Sequence, residues 1–205
     1  MINRPLITRS VISFMLLIFA LSTTMLSAAN ATEYVWKDCG SADRTKIRAA
    51  VKWLKTNLSK IDDNMGKRGL MSWPGKSRDK FIKKLDKKLS IRCRSAASKM
   101  CAPKEVGTGV FRTTRGRVIP ILHQRRIDLC LDNIAKSGDS AREDTAYLTS
   151  VIAHEIAHLI RLNTHRTTCV KKYEKPRFSQ SVGLATFHAY MQTRYQSTDY
   201  TSRCP

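Results

Sequence analysis

The stretch His154-Glu155-Ile156-Ala157-His158 decides how the rest of the chain is interpreted. It reads H-E-x-x-H, the signature of zinc peptidases. Residues four apart lie on one face of an α-helix, so both imidazoles can reach a single metal ion. Glu155 lies beside them and can take a proton from a water molecule at the metal. We therefore predict one catalytic Zn²⁺ ion, with His154 and His158 as ligands and Glu155 as general base.

The flanking sequence predicts a long, mostly buried helix around this motif. Ser140 and Glu143 form an S-x-x-E capping box, which marks a helix start. No Gly or Pro interrupts residues 141–162, and Asn163 suits the left-handed position that follows a helix. The apolar residues that recur at helical spacing are Leu148, Val151, Ile152, Ile156, Leu159 and Ile160. The alternative interpretation is a chance match on an amphipathic helix with core histidines.

A catalytic zinc site needs a third protein ligand besides the two histidines. His165 is the first candidate. On a continuous helix it would lie about 10 Å along the axis from His158, out of reach. A chain that reverses at Asn163 can instead return the imidazole of His165 to the metal. The other candidates that stay open are Glu174, His188 and Asp199.

Residues 1–31 have the pattern of a secretory signal peptide. Arg4 and Arg9 supply a positive start, residues 11–26 form an uncharged apolar run, and an A-x-A cleavage site ends at Ala31. An uncleaved membrane anchor is the alternative, but the strongly apolar part is shorter than the ~20 residues that a span needs. We predict cleavage, and a secreted or periplasmic protein.

The remaining residues 32–205 suit a single domain with its own core. No other stretch is apolar enough to cross a membrane, and we predict a monomer. Residues 1–31 carry two of the 37 basic residues and none of the 16 acidic ones, which leaves a net charge of +19. Such a charge favours anionic partners, namely cell-wall polymers or a membrane surface, whereas export disfavours nucleic acid. The alternative is a solvated basic surface without a specific partner.

All six cysteines lie in residues 32–205, and an even number in an exported protein predicts three disulfides. No C-x-x-C pair is present, so we do not expect cysteine to bind the metal. The six are Cys39, Cys93, Cys101, Cys130, Cys169 and Cys204.

The periodicity of apolar residues predicts further elements along the chain. A helix over residues 41–59 has Ser41 as its cap, and a second over 78–89 has Ser77. The second helix carries a dense basic face, the strongest candidate for contact with a polyanion: Lys83, Lys84, Lys87 and Lys88. A last helix starts at Ser179 or Ser181 and runs to Tyr195. Residues 32–40 are predicted as irregular, residues 62–76 as a turn-rich connection and residues 92–109 as a disulfide-held loop.

The β-rich part lies in residues 110–131. We predict a hairpin in which residues 110–113 and 118–119 flank a turn at Thr114-Arg115-Gly116-Arg117. Alternating apolar residues predict a half-buried strand at Ile127, Leu129 and Leu131. Pro120 places part of this region at the edge of a sheet.

The order of these segments resembles the deuterolysin and peptidyl-lysine metalloendopeptidase family, the aspzincins, over about Cys39 to Tyr195. The segments that carry the resemblance are the helix behind Cys39, Trp73-Pro74-Gly75, Ile127-Asp128-Leu129-Cys130 and the motif His154 to His158. The resemblance implies a zinc endopeptidase with a zincin-like α+β fold, in which helices pack beside a small, mostly antiparallel sheet.

The chain departs from this family after the metal helix. The family continues with G-T-x-D-x-x-Y-G, whose aspartate is the third ligand. This chain has Asn163-Thr164-His165-Arg166 instead, so His165 stands nearest the missing aspartate. The family's tyrosine has only a distant counterpart, Tyr173.

Two functional hypotheses follow. The first is an exported zinc metalloendopeptidase that cuts proteins or the peptides of cell walls, with the substrate added as a strand to residues 110–113 or 117–119. The second is a catalytically weak, cationic binding or toxin-like module on a protease scaffold, which associates with anionic polymers at a cell surface. The intact motif at His154, Glu155 and His158 favours the first hypothesis.

Overall fold

The computed structural model describes residues 32–102, 104–105, 111–112, 116–121, 124–135, 141–160 and 178–195. The predicted signal peptide lies outside these residues, as do the predicted caps Ser140 and Asn163. The candidate ligands that lie outside them are His165, Glu174 and Asp199.

The described part of the chain has an α+β fold with six helices. The helices are α1 (Ser41–Thr56), α2 (Leu58–Lys67), α3 (Ser77–Leu85), α4 (Leu131–Ala135), α5 (Ala141–Leu159) and α6 (Phe178–Tyr195). The strands are β1 (Tyr34–Lys37), β2 (Leu89–Cys93), β3 (Lys104–Glu105), β4 (Phe111–Arg112), β5 (Gly116–Ile121) and β6 (Gln124–Leu129).

Four strands form one mixed sheet in the order β1-β2-β6-β5. β1 pairs with β2 in parallel, and β2 pairs with β6 in parallel. Only β5 runs antiparallel to its neighbour β6, and β3 and β4 form a separate antiparallel pair. The prediction of a mostly antiparallel sheet is therefore wrong. Its physical cause is the crossover: α1, α2 and α3 lie between β1 and β2, and a long helical connection returns the chain in the same direction.

The predicted hairpin is also wrong, because β5 does not pair with β4. β5 pairs with β6 over its full length, from Gly116 opposite Leu129 to Ile121 opposite Gln124. Two strands of equal length form a longer ladder than β5 could form with the two-residue β4. Gly116, a residue of the predicted turn, is the first residue of β5.

The apolar side of the first predicted helix is confirmed, but that helix is divided in two. Asn57 interrupts it with non-helical backbone angles (φ −123°, ψ 21°), and its side-chain amide donates to the carbonyl of Trp53 at 3.0 Å. The chain then continues as α2 to Lys67 instead of entering the predicted connection at residue 62. The predicted core positions are all buried: Ile47, Val51, Leu54, Leu58 and Ile61.

The second predicted helix, α3, ends four residues earlier than expected. It ends at Leu85, and Leu89 instead begins β2, where it is fully buried. Lys55 forms an ion pair of 2.8 Å with Asp86, directly after the last turn of α3. The predicted serine caps are wrong, since no side chain caps α1 or α3 and Ser77 lies inside α3.

The strand β6 is buried on both faces rather than one. Ile127 and Leu129 are buried as predicted, but Asp128 between them is buried as well. The carboxylate of Asp128 lies 2.6 Å from the Nε atoms of both Arg94 and Arg126, and these ion pairs permit its burial. Leu131, predicted as strand, begins α4.

Two disulfides lie within the described residues. Cys39–Cys93 joins the segment after β1 to the last residue of β2, and Cys101–Cys130 joins a turn to the residue after β6. Cys169 and Cys204 lie outside the described residues. The prediction of a disulfide-stapled fold is confirmed for these two bridges, each of which closes on the central strands of the sheet.

Candidate functional site

The helix α5 carries the H-E-x-x-H motif in its last two turns and lies between other elements on several sides. It packs against α6, α1, α4 and β5. The polar residues Thr149 and Ser150 are fully buried because their hydroxyls donate to the carbonyls of Thr145 (2.8 Å) and Tyr147 (2.9 Å). The prediction of a buried motif helix is thus confirmed, although it ends at Leu159 rather than at residue 162.

The structure brings the two motif histidines together on one face of α5. Their Nε2 atoms lie 3.0 Å apart, and the ring centroids lie 4.7 Å apart with planes nearly perpendicular. A zinc ion bound tetrahedrally at about 2.0–2.1 Å would hold two ligand nitrogens about 3.3 Å apart. The pair His154 and His158 therefore fits a shared metal ion with a change of only a few tenths of an ångström.

Glu155 projects from the same turn into the interface between α5 and β5. Its side chain is 4% exposed, and the backbone N–H of Val118 on β5 donates to its carboxylate. Oε2 has no hydrogen-bond partner among the residues that the structure describes. Burial raises the pKa of Glu155 to about 8, and the Val118 N–H and the charge of Arg117 act in the opposite direction. A dication at the histidine pair would also oppose this rise in the pKa of Glu155, because an opposite charge favours the carboxylate.

A third ligand does not appear in the described part of the chain. Within the described ranges no third His, Cys, Asp or Glu joins the histidine pair. The candidate His188 is described, but it lies on α6 near the charge of Arg68, is 2% exposed, and does not complete the group. Burial, with the charge of Arg68, lowers the pKa of His188 to about 4. His165, Glu174 and Asp199 lie outside the described residues, so His165 stays a prediction.

Sequence reasoning missed the contribution of β5 to this site. Gly116 approaches α5 so closely that a Cβ atom there would lie 2.8 Å from Cγ1 of Val151 and 3.0 Å from Oε1 of Glu155. A glycine inside a strand pattern is a known signal for a close backbone approach. Gly116 carries that signal, although the sequence alone predicts a turn there.

The basic residues singled out from the sequence do not form one helical face. Lys83 and Lys84 lie on α3, whereas Lys87 and Lys88 lie after its end. Lys88 forms an ion pair of 2.9 Å with Glu33, and burial lowers the pKa of Lys84, with the charge of Lys87 acting in the same direction. The predicted polyanion surface is therefore partly neutralised.

A different basic surface is formed by α1 and β1. The rings of Tyr34 and Trp36 stack at 4.7 Å with an interplanar angle of 11°. The guanidinium of Arg48 lies 5.6 Å from the Trp36 ring centroid and 5.8 Å from that of Tyr34, and Arg44 lies 6.0 Å from Trp36. Both arginines are exposed, and neither forms an ion pair with a described residue. We call Tyr34, Trp36, Arg44 and Arg48 the arginine–aromatic surface.

Comparison of the chain with models of known protein families, with curated proteins and with solved structures found no match. The resemblance to aspzincins consequently stays a prediction. No helix in the described ranges is both long enough and apolar enough to span a bilayer.

Proposed function

We propose that the protein is an exported zinc metalloendopeptidase with a zincin-like fold. The observation that carries the proposal is the 3.0 Å separation of the Nε2 atoms of His154 and His158, with the buried carboxylate of Glu155 in the same turn. Two histidine ligands and an adjacent carboxylate are the groups that the H-E-x-x-H motif itself supplies, and the third metal ligand must come from elsewhere in the chain. The two disulfides support export, since such bridges persist in oxidising compartments.

The residues of α5 have distinct tasks in this proposal. His154 and His158 hold one zinc ion, and His165 is the proposed third ligand. The zinc, when bound, lowers the pKa of a water molecule toward ~7 and polarises the scissile carbonyl. Glu155 takes the proton from the attacking water and passes it to the leaving amine. The buried position of Glu155 excludes bulk water from its carboxylate, which strengthens its interaction with the reacting groups.

The proposal is tested by metal content and hydrolysis. We expect the purified protein to contain about one zinc per chain by mass spectrometry, and to cleave fluorescently labelled casein. A chelator should abolish cleavage, and added zinc should restore it. His154→Ala should lose both metal and activity. A protein that folds, contains zinc and cleaves neither casein nor cell-wall peptides would contradict the proposal.

The second candidate function is a cationic module that binds anionic polymers at a cell surface. The observation that favours it is the arginine–aromatic surface, where exposed guanidinium groups lie over stacked rings. Rings hold an arginine in place while its N–H groups stay available to carboxylate, sulfate or phosphate. This surface lies on α1 and β1, whereas the histidine pair lies on α5. Polymer binding without zinc-dependent hydrolysis would favour this candidate over the first.

A further inference from the structure

The strand β5 is the edge of the four-stranded sheet, and its register decides which amides face outward. Its partner in the described structure is β6. Pro120 lies within β5 opposite Arg125, and proline is accepted in a ladder only where the missing N–H would face away from the neighbouring strand. Backbone groups two residues apart point to the same side of a strand, so the amides of Val118 and Gly116 also face outward.

One of these outward amides is directed at the proposed general base. The N–H of Val118 donates to the carboxylate of Glu155, whose Oε2 has no partner among the described residues. Oε1 lies 3.0 Å from the position that a Cβ on Gly116 would occupy, and it is not among the buried atoms without a partner. The two carboxylate oxygens are therefore distinguished: the strand holds Oε1, and Oε2 stays available.

Gly116 permits this arrangement because it has no side chain. A Cβ atom would meet Cγ1 of Val151 at 2.8 Å and Cγ of Glu155 at 3.1 Å, both shorter than ordinary van der Waals contact. The backbone of Gly116 has a negative φ, so an alanine there would not be strained by its backbone. The nearest atoms that it would meet belong to side chains of α5.

We propose that β5 positions the general base, with the Val118 amide anchoring one oxygen of Glu155 and Gly116 providing the space in which that side chain lies. This inference rests on the proposed peptidase function. It assigns Val118 and Gly116 as positioning residues, which act through Glu155. It also restricts substrate binding: the Val118 amide is engaged and Pro120 has none, so Gly116 alone supplies an outward N–H along β5.

The first test is Gly116→Ala, assayed on labelled casein. We expect kcat to fall on the order of 10–100-fold, because a displacement of about 1 Å of a reacting group has an effect of this size. KM and zinc content should stay unchanged, since neither substrate contacts nor metal ligands are removed. Gly66→Ala is the matched control: it lies in α2, nothing lies within 4 Å of its Cβ position, and it should leave kcat unchanged.

A second substitution separates crowding against Val151 from crowding against Glu155. Val151→Ala removes the 2.8 Å contact but leaves the 3.0 and 3.1 Å contacts with Glu155. Combined with Gly116→Ala, it should recover part of any loss in melting temperature while kcat stays low. Recovery of kcat by Val151→Ala would overturn the inference, because it would show that general packing and not Glu155 is responsible.

The amide itself is tested by Val118→Pro against Val118→Ala. Both remove the Val118 side chain, but only proline removes the N–H, and this outward position loses no hydrogen bond to β6. We expect kcat to be lower for proline than for alanine on the order of tenfold, with equal KM. Equal kcat in the two variants, or unchanged kcat in Gly116→Ala, overturns this inference alone. A parent protein without zinc-dependent hydrolysis overturns the proposed function and this inference with it.

Discussion

The helices α5 and α6 differ from α1, α2 and α3 in whether titratable side chains are buried. Residues 32–102 contain 19 Lys and Arg against 7 Asp and Glu, and most of these side chains are exposed or half-buried. On α5 and α6 the charged residues are few, but Glu155, His158 and His188 are buried. A high number of charged residues therefore indicates a solvent-exposed surface, whereas buried titratable groups such as Glu155 indicate a candidate site.

The two regions also differ in what each polar group contributes. Lys88 and Glu33 form an ion pair with side chains 46% and 68% exposed, a kind of pair that contributes about 0–1 kcal/mol. Burial instead raises the pKa of Glu155 to about 8 and lowers that of His188 to about 4. We therefore expect substitutions in the α5–α6 region to have larger individual effects than substitutions among the exposed lysines.

The largest effect is expected for Glu155→Gln. Glutamine keeps the size of the side chain but cannot accept the proton, so hydrolysis of casein should fall on the order of 10²–10⁴-fold. Zinc content and melting temperature should stay close to those of the parent, because Glu155 lies beside the proposed ligands and is not itself a proposed ligand. Loss of metal in this variant would contradict the assigned role.

The next largest effect is expected for removal of the disulfide Cys39–Cys93, which lies in residues 32–102 and not on the motif helix α5. Cys39–Cys93 closes a loop with a sequence separation of 54, for which the chain-entropy relation gives about 4 kcal/mol. We expect Cys39→Ala/Cys93→Ala to lower the free energy of unfolding in urea by about 2–4 kcal/mol, the usual range for a disulfide. The folded fraction should keep full specific activity. Proportionally lower activity per folded molecule would show that the two regions are coupled.

His188 should make stability sensitive to acid. Its pKa in the folded protein, about 4, lies below the ordinary value of 6.5, so the fold favours the neutral ring. The contribution is present above pH 6.5 and is lost as pH falls through 4, because the unfolded chain then binds the extra proton. We expect a loss on the order of 2–3 kcal/mol at pH 4. The variant His188→Gln should show a smaller difference between urea midpoints at pH 7 and pH 4; an unchanged difference would assign the acid sensitivity to other groups.

The smallest effect is expected at the arginine–aromatic surface. Arg44→Gln/Arg48→Gln should weaken binding to dextran sulfate about tenfold at 0.1 M salt, where the Debye length is about 10 Å, and much less at 1 M. Turnover of a small neutral peptide should not change. Lys83→Gln/Lys87→Gln removes the same charge from two exposed lysines without stacked rings, and should weaken binding less. Equal weakening in both variants would mean that net charge alone governs association.

The helical core and the motif helix could be predicted from the sequence because their signals are local. Ile47, Val51 and Leu54 recur at helical spacing, and the face that they define is buried. The parallel strands β1 and β2 could not be predicted in this way. Tyr34 pairs opposite Leu89, 55 residues further along the chain, and nothing in either short segment specifies that partner.

The candidate site could likewise be predicted only as far as its residues belong to one local pattern. His154 and His158 are four residues apart, so one helix suffices to bring them together. The contact of Gly116 and Val118 with Glu155 joins two elements with separate local patterns, and it depends on how β5 lies against α5. A glycine such as Gly116 suits both a turn and a strand that lies close to a helix, so only the tertiary structure distinguishes the two.

The placement of the bridge Cys39–Cys93 has a consequence for how the protein matures. Lys37 pairs opposite Arg92, one residue before Cys93, so docking of β1 on β2 brings the two thiols together. That docking closes a loop containing three helices, and such non-local contacts form slowly. If Cys39 or Cys93 is oxidised before β1 docks on β2, it can form a disulfide with the wrong cysteine. The rate at which α1, α2 and α3 assemble therefore sets how long the newly made chain depends on disulfide exchange.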